Sequence, residues 1–124
     1  MAIASDIMTT EVVSTTADAA IWTVARQLIE HGYGGMPVLG PDGALIGMLS
    51  GFDVISKDGA TVGEIMSRGV VWASPDDSLE DVIQLMGLHG IRRVPVCRDG
   101  TLIGIISRSD LLRHYTNTHE SGLS

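Results

Sequence analysis

The chain has 124 residues, 44% of them hydrophobic and 19% charged, with 8 Lys and Arg against 15 Asp and Glu for a formal net charge of −7. That size suits one compact unit or two small repeats sharing a core, and the apolar content excludes a disordered chain. The negative charge opposes phosphate backbones and anionic lipid, no apolar run approaches the ~20 residues that span a bilayer, and the single cysteine, Cys97, cannot form an internal disulfide. A cytoplasmic protein without nucleic-acid or membrane partners is expected.

In chain order, Val12-Val13 is a brief β-favouring run. Ile21, Val24, Ala25, Leu28 and Ile29 follow at the spacing of an amphipathic helix, which Gly32 can stop in a left-handed conformation. Residues 36–39 and 44–50 read as strands joined by a Gly-Pro-Asp-Gly turn, and a short helix with Val54 and Ile55 on its apolar face closes the segment. Residues 56–63, "SKDGATVG", read as a linker.

The same order then returns. Val70-Val71-Trp72 is a second β-favouring run, and Leu79, Val82, Ile83 and Met86 form a second helical stripe, started by Ser78 with Asp81 and stopped by Gly90. Residues 94–97 and 102–107 read as strands around Asp99-Gly100, and a last helix carries Leu111 and Leu112. Residues from 117 onward read as a frayed tail.

The recurrence is literal. "DIMTTEVV" at 6–13 overlays "EIMSRGVV" at 64–71 with an offset of 58, which also pairs His31-Gly32 with His89-Gly90 and Met36-Pro37-Val38 with Val94-Pro95-Val96. One extra turn residue in the first copy then shortens the offset to 57, so that Leu45-Ile46-Gly47 meets Leu102-Ile103-Gly104, and Ser50-x-x-Asp53 meets Ser107-x-x-Asp110. The chain therefore divides into a first repeat with the start of the linker (1–58), the rest of the linker with a second repeat (59–116), and the tail (117–124), each repeat running βαββα. Neither repeat buries much by itself, so the two are expected to pack together.

With their Pro-Val strand, Asp-Gly turn, Leu-Ile-Gly strand and Ser-x-x-Asp step, the two copies resemble the CBS domain, the repeat named for cystathionine beta-synthase. A tandem pair is usually called a Bateman module. The resemblance implies an α/β (α+β) fold of two repeats related by pseudo-twofold symmetry, with sheets facing across a central cleft. It further implies two sites for adenosyl ligands such as AMP, ADP, ATP or S-adenosylmethionine, and frequent homodimerisation. No required cofactor is expected beyond such an adenosyl ligand.

In that family the Asp of the last helix bonds the ribose hydroxyls and the Ser or Thr lies near ribose or phosphate. Here those positions are Ser50 with Asp53 and Ser107 with Asp110. The resemblance implies that each site is completed by the other repeat, through an apolar slot for adenine: Thr9, Val13 and Tyr33 for Asp110, and Ser67, Val71 and Ile91 for Asp53. Physical chemistry allows these roles, since a carboxylate can accept from both hydroxyls of a cis-diol. It equally allows Ser and Asp to act as helix caps with no ligand at all.

The repeats differ where repeat 2 has Arg92-Arg93 and repeat 1 has Gly34-Gly35. The Asp53 site, completed by Arg92 and Arg93, is expected to be the better anion site, while the Asp110 site has only Arg108 nearby in sequence. Arg92 and Arg93 could instead pair with acids such as Asp76 or Asp77. The first 58 residues hold two of the eight basic residues but seven of the fifteen acids, so the first repeat carries most of the negative excess.

The remaining motifs give no chemistry. His31 and His89 fall at equivalent helix ends where a cation suits the dipole, His114 and His119 lie in or near the tail, and no HxH, HExxH or Cys pair suggests a metal. Neither Ser50 nor Ser107 sits in a Gly-x-Ser-x-Gly elbow or beside a His, and the glycine-rich span at 32–43 lacks the Lys-Ser/Thr of a P-loop. Cys97 reads as a small buried hydrophobe. The chain is expected to be a non-enzymatic regulatory sensor that binds an adenosyl ligand and signals, through repeat or dimer rearrangement, to an unidentified effector protein. A structural dimerisation or stress-associated module that binds no nucleotide is the competing reading, kept open by Gly34, Gly35 and Gly51.

Overall fold

A computed structural model describes residues 1–32 and 34–119. Their contacts divide the chain into two units that do not follow the sequence repeats. One, the first-repeat unit, comprises Val13–Val70 with Gly100–Leu102. The second-repeat unit comprises Met1–Val12, Val71–Asp99 and the chain from Ile103. The opening segment of each repeat thus packs into the body of the other.

In the first-repeat unit, β1 (Thr15–Thr16) leads to α2 (Ile21–His31), then β2 (Gly35–Leu39), a 3-10 turn at Pro41–Gly43, β3 (Leu45–Ser50), α3 (Gly51–Ser56) and α4 (Val62–Ile65). The helix before β1, α1 (Ala4–Ile7), belongs to the other unit. The sheet order is β1-β2-β3: Thr15 pairs with Val38 in parallel, and β2 runs antiparallel to β3 from Gly35↔Ser50 to Leu39↔Leu45 with a register shift after Val38. Val24 and Leu28, one helical turn apart, press onto Met36, Val38 and Leu49 of the sheet, and Val62, Ile65 and Met66 close the same core.

The second-repeat unit has α5 (Leu79–His89), β4 (Arg93–Arg98), β5 (Thr101–Ser107) from Ile103 onward, and α6 (Arg108–His119). Val82 and Met86 of α5 pack with Val94, Val96 and Ile106 of the β4-β5 sheet and with Ala4 of α1. Where the first-repeat unit has β1, here Ala73 makes a single parallel bridge to Val96. Its bonds run from Ala73 N–H to the Pro95 carbonyl and from Cys97 N–H to the Ala73 carbonyl, at 2.9 Å each, so the ladder never asks for the N–H that Pro95 lacks.

The two opening segments dock in matching ways. Ile3 bridges Ser78 and Thr9 bridges Ile105; Thr61 bridges Ala20 and Ser67 bridges Met48. Ala4 and Val62, equivalent by the repeat offset, are both fully buried. Both tight turns place an Asp-Gly pair at positive φ, Asp42 at 60° with Gly43 at 79° and Asp99 at 53° with Gly100 at 81°; Asp tolerates this region and Gly prefers it.

Several expectations need correction. Val12-Val13 and Val70–Trp72 are not strands: the pairing starts at Thr15 and at Ala73, and Val13 serves instead as irregular chain packed on the core. Residues 56–63 are not wholly a linker, since Ser56 ends α3 and Val62 begins α4 with its side chain in the core. Ile29, Ile55, Ile83 and Leu112 share the apolar periodicity but are exposed, because each helix buries a stripe narrower than its apolar face. Helix α6 runs through Asn117–His119, where fraying is expected, and residues 120–124 lie outside the described residues.

Candidate functional site

Each repeat ends a strand in Ser and starts its last helix with Asp three residues later. At Asp53 the result is a reciprocal cap: Asp53 N–H donates to Ser50 Oγ at 3.0 Å, and Ser50 N–H donates to Asp53 Oδ2 at 3.0 Å. Ser67 Oγ lies 3.4 Å from both carboxylate oxygens. It is delivered there by the Met48–Ser67 backbone pair, 2.9 Å in each direction. Gly47 makes that crossing feasible, since a Cβ at this position would stand 2.7 Å from Met66 Sδ and 3.0 Å from the Ser67 carbonyl.

Asp53 is only 5% exposed, yet its charge is well supported. Lys57 Nζ, one helical turn on, sits 2.9 Å from Oδ1 and donates to the Ile65 carbonyl at 3.1 Å. Burial pushes the carboxyl pKa up, but the bonds from Lys57 and Ser50 together outweigh it and hold the group below its usual value.

Asp110 repeats the arrangement at 8% exposure. Its N–H donates to Ser107 Oγ at 3.1 Å, and Ser107 N–H donates to Oδ2 at 2.9 Å. Thr9 Oγ1 donates to Oδ1 at 3.5 Å, and Arg113 holds the same oxygen with Nη2 at 3.4 Å. Thr9 is fixed by mutual backbone bonds with Ile105 at 2.8 and 2.9 Å, across a strand whose Gly104 leaves no room for a Cβ beside Met8. A polar hollow of about 280 Å³ opens here between Asp6, Asp110, Arg113, His114 and Asn117.

Of the residues singled out from sequence, Ser50, Asp53 and Ser67 therefore stand together, as do Thr9, Ser107 and Asp110. Val13 packs against the first-repeat core, and Ile91 against the second. Val71 and Arg93 are half-buried in the second-repeat unit, whose Arg92 and Arg108 line a groove of about 580 Å³ between α5 and α6 with Ile83, Leu112 and Tyr115. Tyr33 lies outside the described residues. The expectation that Arg108 is the only basic residue near Asp110 is corrected: the cation on that carboxylate is Arg113. Sequence reading missed both Lys57 and Arg113, although their spacing of four and three residues from the Asp on one helix is the signal for such pairs.

Other features are structural. Cys97 is free and buried, and burial pushes its thiol pKa up. His31 and His89 occupy the last turns of α2 and α5, whose caps Gly32 and Gly90 are left-handed. Among the described residues no group of three His, Cys, Asp or Glu could hold a metal, and no helix is long and apolar enough to cross a membrane.

The duplication seen in the fold and in the two sites has its counterpart in the comparison with known families: the CBS domain family model matches twice, over residues 4–59 and 62–117. The chain belongs to the CBS domain family. It is 35% identical to the CBS domain-containing protein YhcV of Bacillus subtilis, over 98% of this chain and 91% of that protein. Its fold matches the CBS domain pair of protein MJ0100, solved in complex with 5′-methylthioadenosine and S-adenosyl-L-methionine, with a TM-score of 0.83, 26% identity, and coverage of 94% of this chain and 98% of that one. It also matches Hypoxic Response Protein I, solved with two coordinated zinc ions, with a TM-score of 0.81 and 30% identity over 91% of this chain and 98% of that one.

Proposed function

We propose that this CBS pair is a regulatory, non-catalytic module that binds adenosyl ligands, with Asp53 and Asp110 accepting hydrogen bonds from ribose hydroxyls. The observation that carries this reading is the duplication. Two carboxylates, each almost out of water, stand beside a hydroxyl brought from a distant segment, Ser67 in one unit and Thr9 in the other. A helix cap needs only the Ser and the Asp, so the added hydroxyl goes beyond capping. Support also comes from the related MJ0100 pair, which holds adenosyl ligands.

In this proposal Val13, Val71 and Ile91 contribute apolar contacts to the base, while Arg92 and Arg93 favour an anionic ligand for the Asp53 site over the Asp110 site. Arg108 is assigned a weaker share in the latter. The module acts as a homodimer in the cytoplasm, where a lone buried thiol suits the reducing conditions. A ligand shifts it only by binding two arrangements with different affinity, and an effector protein reads the difference.

Thermal shift with 5′-methylthioadenosine, S-adenosylmethionine, AMP and ATP tests the reading. A ligand at a hundred times its Kd should add about 2.7 kcal/mol of stability. Asp53→Asn with Asp110→Asn keeps a cap-competent oxygen at both positions and should abolish the shift. A flat response to all four ligands would favour the second reading, a structural dimerisation module. That reading draws on the exposed Trp22, Ile29, Phe52 and Ile55 of the first-repeat unit.

A further inference from the structure

The two repeats provide an internal control for surface features, because equivalent positions serve the same fold. Along α5, Asp81, Gln84, Leu85 and Leu88 are equivalent to Thr23, Arg26, Gln27 and Glu30 of α2, and the exposure of each matches its counterpart. Trp72 is likewise equivalent to Ser14, and Asp77 to Ala19. At the positions of Trp72, Leu85 and Leu88 the first repeat has the polar Ser14, Gln27 and Glu30, so the fold does not require apolar side chains there.

In the second repeat the face is a groove of about 680 Å³ lined by Trp72, Asp77, Asp81, Gln84, Leu85 and Leu88. Trp72 is 53% exposed and Leu88 80% exposed, while Leu85 is rooted in the core beneath them. From Gly69 to Ile91 the chain carries Asp76, Asp77, Glu80 and Asp81 and no Lys or Arg. The groove therefore joins an apolar floor to a rim whose charged side chains, Asp77 and Asp81, are both acidic.

We propose that this groove docks a basic, amphipathic segment of a partner protein. Its apolar side chains would cover Trp72, Leu85 and Leu88, and its Lys or Arg residues would meet Asp77 and Asp81 or stack on the Trp72 ring. The rim's charge favours that occupant: an acidic segment or anionic lipid is repelled, and a second copy of this chain docked through the same groove would bring its own Asp77 and Asp81 against these.

The test uses the full chain and a fluorescent synthetic helical peptide of Lys and Leu, with Leu at i, i+3 and i+4, read by anisotropy at physiological salt against a scrambled peptide of the same composition. The parent should bind the patterned peptide about tenfold or more tighter than the scrambled one, and Trp72→Ser with Leu88→Gln should remove that preference. These replacements approximate what the first repeat carries at the same positions, so an unchanged circular dichroism spectrum and thermal midpoint are expected. In a Trp22→Phe background, the remaining Trp72 emission should shift to the blue as the peptide saturates. Equal affinity for parent and double variant, or an unmoved Trp72 emission at saturation, overturns the proposal. So does a parent dimer in sedimentation equilibrium that the double variant converts to monomer, because the occupant would then be a second copy.

Discussion

Asp53 keeps its charge although nearly all of it is buried, and it does so through named bonds from Lys57 and Ser50. Its folded pKa lies below the unfolded value of about 3.9, so the stability it adds is fully present above that value and is lost as pH falls through it toward the lower folded pKa. Lys57→Met removes the strongest of the bonds that oppose burial, while those from Ser50 remain. The Asp53 carboxyl should then titrate at higher pH in carboxyl-carbon NMR, and acid unfolding should begin at higher pH than in the parent; an unmoved titration contradicts the pairing. The Ser-x-x-Asp steps were legible as a motif, and their association with Ser67 and Thr9 was implied by the family resemblance. The cations lie outside that motif: Lys57 and Arg113 come one turn further along the same helices, where only helical spacing points to them. Gly47 was legible only as part of a Leu-Ile-Gly match; its role is spatial, and Gly47→Ala should destabilise the protein by about 1–3 kcal/mol by driving a methyl into Met66, measured by urea unfolding.

Among the elements, the long helices were the most legible, since Ser78 accepts from Asp81 N–H as its position suggests and both helices stop at the anticipated glycines. Ser78→Ala should cost about 1 kcal/mol, and Ser78→Asp should restore most of it, by thermal unfolding. The short elements were not legible. Helices α1 and α4 have one turn each, too short for periodicity to register, and α4 starts within residues read as a linker. The brief strand pairing was displaced for a related reason. β propensity favours Val12-Val13, but the register that joins Thr15 to Val38 is set by the partner strand and by the core beneath it.

At the scale of the molecule, sequence similarity divides the chain into consecutive repeats, whereas contacts exchange the opening segments: Met1–Val12 joins the second-repeat unit, and residues up to Val70 join the first. No periodicity within a repeat encodes that exchange, because the one-turn helices that carry Ala4 and Val62 into the cores are too short to show one. Deleting residues 1–12 should therefore weaken the unit that is more distant in sequence. Hydrogen exchange should lose protection across β4 and β5, where Ala4 is missing from the core, while β2 and β3 remain protected. Loss confined to β2 and β3 would contradict the exchange.

Ribose recognition by the paired carboxylates is tested most directly by calorimetric titration of the parent with adenosine and with 2′,3′-dideoxyadenosine, which differ only in the hydroxyls that Asp53 and Asp110 would hold. Saturable binding of adenosine, weakened about tenfold or more in the dideoxy compound and in Asp53→Asn with Asp110→Asn, is the predicted result. Equal affinity for both nucleosides, or for parent and double variant, would contradict it.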